Sequence, residues 1–240
     1  MTHLRLTLLI LVYCIFATGS VALANGHIEE FYFPDTLTLN YVMRELSSPI
    51  SGMSTSNPLV ETYTHQITMT AHQSTPGLSN VWRFNSKTYK TAGELVLDQD
   101  LYRRIDSHGW VEYYRDPVQN SWKEYQLIPI PIKGGTKWNS TVKISVPGAD
   151  SPMYRQRNGE TLFWEEVTIN QVSLWCFKLL IGETLFNPER DEKPSQIIHR
   201  YWFNKQVGIV RHEAEYEDKK VEVTELSDVP PYVRLKKEEH

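Results

Sequence analysis

Two histidines and two glutamates near the carboxyl end of the chain have residue types and a spacing that could support hydrolysis. His199 and His212 flank a segment with turn residues at its centre, so their imidazoles could meet across a hairpin. Glu213 and Glu215 share one face if their segment is a strand. A histidine base near a carboxylate is common acid–base machinery. The favoured interpretation is a chance histidine pair beside two solvent-facing carboxylates.

The remaining reactive residue types do not form a catalytic or metal-binding pattern. Cys176 lies between Trp175 and Phe177, where burial would raise the pKa of its thiol and make it inert. His65 and His72 are an odd number of residues apart, which places them on opposite faces of one strand. The sequence has no Gly-x-Ser-x-Gly elbow, phosphate loop or dinucleotide fingerprint. It therefore predicts no catalytic residue, no metal site and no cofactor.

Aromatic residues are the best candidates for binding a ligand. The chain has 7 tryptophans and 13 tyrosines, and several predicted strands carry a large ring on each face. In a half-barrel, one such face could line a lipid-sized cavity. The favoured interpretation is a wide packed core with partly exposed rings. The predicted ligand-binding residues are Trp82, Phe84, Trp110, Tyr114, Trp164 and Trp202.

These side chains lie on segments that have the pattern of strands. Apolar and threonine-rich positions alternate over 59–71, and turn residues separate further extended segments up to 226. Asn158 and Gly159 predict a type I′ hairpin that pairs 153–157 with 160–169. The segment 172–181 is apolar at both parities, which favours a central strand over a short buried helix.

Short, regularly spaced strands predict a mainly β fold. We expect a single curved antiparallel sheet that forms a barrel or half-barrel with few short helices, and a β-sandwich is the alternative. The expected organisation is one β-rich domain over 25–229, followed by a charged flexible tail over 230–240.

Residues 1–24 have the pattern of a secretory signal peptide. A weakly basic start precedes an apolar run, and Ala22 and Ala24 offer small residues for cleavage. The run is short for a membrane anchor, and Tyr13 before Cys14 does not suit lipid attachment. We expect cleavage near Ala24 and an exported mature chain, periplasmic or secreted, that does not span a membrane.

Composition limits the kinds of partner that the mature chain could bind. The formal net charge is −4, and removal of Arg5 with the leader makes the mature chain one unit more negative. That balance argues against nucleic acid as a partner. Cys176 is the only cysteine after the leader, so the mature chain has no intrachain disulfide. Asn139-Ser140-Thr141 is a glycosylation acceptor pattern.

Two stretches resemble bacterial envelope proteins. The segment 200–211, RYWFNKQVGIVR, is similar to the strand–turn–strand of exported proteins with a lipoprotein-carrier-like (LolA-like) half-barrel. The segment 129–138, PIPIKGGTKW, resembles a stretch found in uncharacterised exported bacterial proteins. The resemblance implies a carrier with an apolar cavity, or a role in envelope assembly. Carriers of this family usually have helices that plug the sheet, and the sequence shows no good candidates for them.

Three functions follow as hypotheses. The first is a non-enzymatic envelope protein that binds an apolar or amphipathic ligand, such as a lipid or a lipoprotein acyl chain. The second is a structural or adhesive β-domain that contacts another envelope protein and has a solid core. The third is an exported hydrolase, which requires the histidines and glutamates named above to converge in a cleft.

Overall fold

The computed structural model describes residues 33–46, 60–106, 109–116, 119–129, 132–145, 151–190 and 193–235. The predicted signal peptide, 1–24, lies outside the described residues. The strands are β1 (Thr36–Leu46), β2 (Val60–Thr75), β3 (Leu78–Lys90), β4 (Leu95–Asp106), β5 (Gly109–Arg115), β6 (Trp122–Pro129), β7 (Lys137–Ile144), β8 (Met153–Ile169), β9 (Val172–Phe186), β10 (Ser195–Asn204), β11 (Gly208–Tyr216) and β12 (Val221–Leu226), and a short helix, α1 (Pro231–Leu235), follows.

All twelve strands belong to one antiparallel sheet with the order β6-β5-β4-β3-β2-β1-β12-β11-β10-β9-β8-β7. The chain therefore makes two meanders, and the first and last strands pair at the centre of the sheet. The two edge strands, β6 and β7, are consecutive in the chain. The alternation of apolar and polar residues explains this arrangement, because each strand presents one apolar face to the core.

The sheet curls until its two halves face each other. The ring of Trp110 on β5 lies 5.4 Å from the ring of Phe203 on β10, although many strands separate β5 from β10 in the sheet. At the edges, the Ser145 hydroxyl donates a hydrogen bond of 2.7 Å to the buried Asp116 carboxylate. We call the gap between β6 and β7 the seam. The predicted single curved antiparallel sheet of the half-barrel type is confirmed.

The hairpin predicted at Asn158-Gly159 is wrong, because both residues lie in the middle of β8. A Cβ on Gly159 would lie 2.2 Å from the ring of Trp138 on β7. The glycine therefore makes room for a neighbouring ring and does not form a turn. The turn that does join β8 to β9 is Asn170-Gln171, where both residues have positive φ.

Two other segments answer questions that the sequence left open. The apolar segment from Val172 is the strand β9, as the sequence favoured. Helix α1 occupies part of the predicted charged tail, where Val233 is buried and the Tyr232 hydroxyl donates to the Gln206 carbonyl at 2.7 Å. Apolar side chains bind this segment to the sheet. Among the described residues, no helix has the length and apolar character to cross a membrane.

Candidate functional site: the concave face of the sheet

Aromatic rings fill one half of the concave face, which we call the aromatic half. The Trp110 ring lies 5.8 Å from Phe84 and 6.2 Å from Phe33, in addition to its contact with Phe203. Trp82 contacts the same Phe33 at 5.7 Å. Exposed fractions of 1% for Trp110 and 2% for Phe84 show that these two rings are packed against other side chains.

The aromatic half continues onto the second meander. Trp164 on β8 pairs with Phe177 on β9, and their rings are 5.2 Å apart. Phe177 in turn pairs with Phe203 on β10. Five of the six predicted binding residues therefore belong to one core cluster or pack against it, namely Trp82, Phe84, Trp110, Trp164 and Trp202. Their role as ligand contacts stays a prediction.

Trp202 belongs to the core cluster without joining the ring contacts above, and Tyr114 is not among the members of the cluster. Trp202 lies on the opposite face of β10 from Phe203, where its indole N–H donates to the Glu165 carboxylate. Lys178 Nζ lies 4.5 Å from the centre of its ring on the same side. Tyr114 is half-buried on β5, and burial, followed by the charge of Asp116, raises the pKa of its hydroxyl. The role of these two residues as ligand contacts also stays a prediction.

Two open depressions occur elsewhere on the molecule. One, of about 350 Å³, lies beside Trp138 and Gly182. The other, of about 450 Å³, is polar and lies over Arg83, Asn85 and Asp100. Neither depression includes any of the six aromatic residues predicted from the sequence.

The other half of the concave face is polar, and at its centre His199 and His212 meet across the β10–β11 hairpin. His199 Nδ1 lies 3.0 Å from His212 Nε2, so the two rings share one hydrogen bond. The Tyr201 ring stacks on His212 with 4.3 Å between the ring centres. The sequence indicated that the histidines could meet, and the register of β10 and β11 brings them together.

Arg155, Arg157 and Glu183 complete this region, and the sequence analysis missed all three. Arg157 Nε donates to Glu183 Oε2 at 2.6 Å, and Arg155 Nε lies 3.3 Å from Glu183 Oε1. His199 Nε2 is 4.0 Å from Glu183 Oε2. The wrong hairpin prediction explains the omission. It paired 153–157 with 160–169, whereas Arg155 and Arg157 lie on β8, which pairs with β9. We call Arg155, Arg157, Glu183, His199 and His212 the polar belt.

Burial keeps the two imidazoles neutral at pH 7. Desolvation lowers the pKa of His199 to about 4, and Glu183 partly opposes this effect while the arginines reinforce it. Desolvation, followed by the neighbouring His199, lowers the pKa of His212 to about 3. Among the described residues, no group of three or more histidine, cysteine or carboxylate side chains could hold a metal ion.

The two histidines and the two glutamates proposed for hydrolysis do not form one group. The histidines contact each other, and the glutamates contact arginines. Glu213 bonds Arg211 at 2.6 Å, and Glu215 bonds Arg200 at 2.9 Å. The register places Arg200 opposite Glu213 and His199 opposite Ala214, so the histidines and these carboxylates point to opposite faces. Cys176 is buried, which raises the pKa of its thiol to about 12. The convergence that a hydrolase requires does not occur.

Comparison with solved structures identifies the fold. The chain superposes on a candidate exported protein with a YmcC-like fold from Bacteroides fragilis with a TM-score of 0.53, at 12% identity, over 84% of this chain and 99% of that one. The chain has a YmcC-like fold. A candidate lipoprotein from Parabacteroides distasonis matches with a TM-score of 0.54, at 12% identity and the same coverage.

A third match is weaker. The hypothetical lipoprotein YmcC from Escherichia coli gives a TM-score of 0.33 at 12% identity, over 82% of this chain and 86% of that chain. No protein-family model matches the sequence, and no curated protein matches it. At the level of the fold, the first two matches confirm the resemblance to bacterial exported proteins.

Proposed function

We propose that this protein is exported to the bacterial envelope and acts there, without catalysis, by contacting another protein. The packed concave face carries the proposal, because buried rings occupy the place where a carrier would hold its ligand. Residues 1–24 and the fold shared with an exported candidate support export. Cell fractionation with sequencing of the mature amino terminus tests this part. Export predicts a periplasmic or secreted chain that begins near Asn25, and an uncleaved cytoplasmic chain contradicts it.

The contact surface that we propose lies near the end of the β8–β9 hairpin. Trp175 is 61% exposed and Phe163 is 50% exposed, and large exposed rings are typical of protein interfaces. The charges beside Phe163 are balanced, because Lys178 lies 5.6 Å from the centre of its ring and 3.3 Å from Glu165. A balanced surface on an acidic protein favours a protein partner over an anionic membrane.

A photo-cross-linking amino acid at position 175 tests this surface in living cells. We expect it to capture one defined partner, and we expect Trp175→Ala and Phe163→Ala to weaken binding of that purified partner at least about tenfold. Val96, which is 52% exposed on β4, provides the matched control for exposure. If Val96→Ala weakens binding equally, or if the mature chain binds lipid vesicles instead, the surface is assigned wrongly.

Binding of an apolar ligand is the second candidate, and the shared concave position of Trp82, Phe84, Trp110 and Trp164 favours it. A ligand would have to separate these rings. Native mass spectrometry of the mature protein, purified without detergent, tests the idea after lipid extraction. A bound lipid that Trp110→Leu removes supports the carrier hypothesis, whereas a chain that carries no lipid and takes up no apolar probe contradicts it.

A further inference from the structure

The polar belt extends from the seam of the sheet to the histidine pair. Burial and then the charge of Asp116 raise the pKa of the Tyr114 hydroxyl on β5, and the charge of Arg155 acts on the same hydroxyl in the opposite direction. Asp116 also accepts the hydrogen bond from Ser145 across the seam. The charged groups of the belt and the contact that holds the edges together are therefore neighbours.

The belt contains few negative charges. Glu183 is its only carboxylate, and both arginines already use it. A second buried ion pair, Arg103 with Glu112 at 2.7 Å, reaches the same region from β4 and β5, because both charges act on the Tyr201 hydroxyl. The belt carboxylate nearest to a newly charged imidazole is therefore Glu183, whose Oε2 lies 4.0 Å from His199 Nε2 and is already shared with the arginines.

Strand β12 pairs with β11 beside His212, and its nearest carboxylate, Glu222, already has partners. On β12, Thr224 is opposite His212, and Glu222 is opposite Ala214 one rung further along. Glu222 accepts a hydrogen bond from the Tyr216 hydroxyl at 3.0 Å and lies 3.3 Å from Lys220. The histidine pair thus faces two arginines, one shared glutamate, a tyrosine and a threonine.

We propose that the polar belt is an acid-sensitive switch, in which protonation of the His199–His212 pair separates β10 from β11, loosens the seam and exposes the aromatic half of the concave face. Two neutral imidazoles share one hydrogen bond because one nitrogen donates and the other accepts. A single proton on a nitrogen outside this bond leaves it in place, but once both rings are protonated both facing nitrogens carry a hydrogen and the bond is lost. The added positive charge also lies beside Arg157, where repulsion is weakly screened.

The direction of the pH dependence follows from linkage. The histidines have folded-state pKa values below the ordinary value of 6.5, so the opened or unfolded chain binds protons more readily. The stability of the closed state is therefore complete above pH 6.5 and is lost as the pH falls towards about 4. An exported protein meets external pH directly, so a transition in this range would act as a response to acid.

Near-ultraviolet circular dichroism and the fluorescence of an apolar dye test the switch on the mature chain between pH 7 and 3. We expect the wild type to lose its aromatic signal and to bind the dye while far-ultraviolet circular dichroism shows that strands remain. In the double variant His199→Asn with His212→Asn, the midpoint should move down by about one pH unit or more. His72→Asn is the matched control, because His72 is exposed on β2 and bonds Asn80.

Two results would overturn the switch. One is an unchanged midpoint in the double variant. The other is an equal shift in His65→Asn, since His65 lies on β2 and hydrogen-bonds Thr88 at 2.8 Å, outside the belt. If the double variant does not fold, hydrogen exchange of the wild type at pH 7 and pH 5 decides. The switch requires the amides of β10 and β11 to lose protection before those of β3 and β4, and uniform loss contradicts it.

Discussion

The aromatic half and the polar belt share one concave face and even one strand, yet they stabilise the fold differently. His199, Tyr201 and Phe203 follow each other on that face of β10, with ring centres 5.9 Å and 5.7 Å apart. Phe203 reaches across the concave face to Trp110, which belongs to the opposite meander. His199 instead bonds His212 on the adjacent strand. Ring packing therefore holds the two meanders together, whereas the principal bonds of the belt join neighbouring strands.

This difference predicts that the aromatic half tolerates changes in pH while the belt does not. Packing between rings depends on buried apolar area and is independent of protonation. The belt depends on hydrogen bonds and charges in surroundings of low polarity, where each group needs its partner. Substitutions in the two regions should therefore differ in their pH dependence as well as in their size.

The largest loss of stability is expected for Trp110→Ala. The ring is fully buried and bridges the two meanders, so its removal should lower the free energy of unfolding by about 4 kcal/mol. Urea unfolding, followed by far-ultraviolet circular dichroism, measures this loss, and it should be equal at pH 7 and pH 5.5. Trp175→Ala removes an exposed ring and should change stability by no more than about 0.5 kcal/mol. Equal losses in the two variants would contradict a bridging role for Trp110.

Glu183→Gln should produce the next largest loss, about 3 kcal/mol at pH 7, because it leaves two arginines without their shared carboxylate. The charge of Glu183 raises the pKa of His199, so its loss lowers that pKa further. The deficit relative to the wild type should therefore grow only as the pH falls towards about 4, where His199 of the folded wild type takes up its proton and His199 of the variant does not. Urea unfolding at several pH values measures it. A deficit that stays constant with pH would remove the distinction between the two regions.

Gly159→Ala tests how closely the Trp138 ring on β7 packs against the backbone of β8. The new methyl group would clash with Trp138, and we expect a loss of about 2 kcal/mol. Gly182 on β9 is the matched control, because an added Cβ there would lie 3.9 Å from its nearest neighbour, the Asn158 carbonyl oxygen. Thermal unfolding of Gly159→Ala and Gly182→Ala should show a lower Tm for the first variant alone. Similar values would mean that Trp138 moves aside freely.

The same glycine shows what the sequence could and could not predict. Alternating residues over 59–71 correctly indicated a strand with one apolar face, because burial of one face leaves a local pattern. Asn158-Gly159 also matched a local pattern, that of a turn. The reason for the glycine lies on β7, in Trp138, and no local pattern carries that information.

The two halves of the concave face also differed in how far the sequence could predict them. The rings of the aromatic half were identified by residue type, since large apolar side chains are buried wherever the sheet folds back. Arg155, Arg157 and Glu183 belong to types that are usually exposed, so only the register of β8 with β9 shows that they meet. Their partners are identified by pairing across strands and not by spacing along the chain.

The smallest effect is expected at the seam, from Ser145→Ala. Asp116 would lose one donor and keep the backbone N–H of Gln119 at 2.8 Å, so the global loss should be about 1 kcal/mol. If the belt and the seam open together, this variant should also raise the midpoint of the acid transition, because the edges separate more easily. Trp110→Ala lies on the other half, and the rings it weakens do not bind protons. A stability loss at Ser145→Ala without any shift of the acid midpoint would show that the belt titrates independently of the seam.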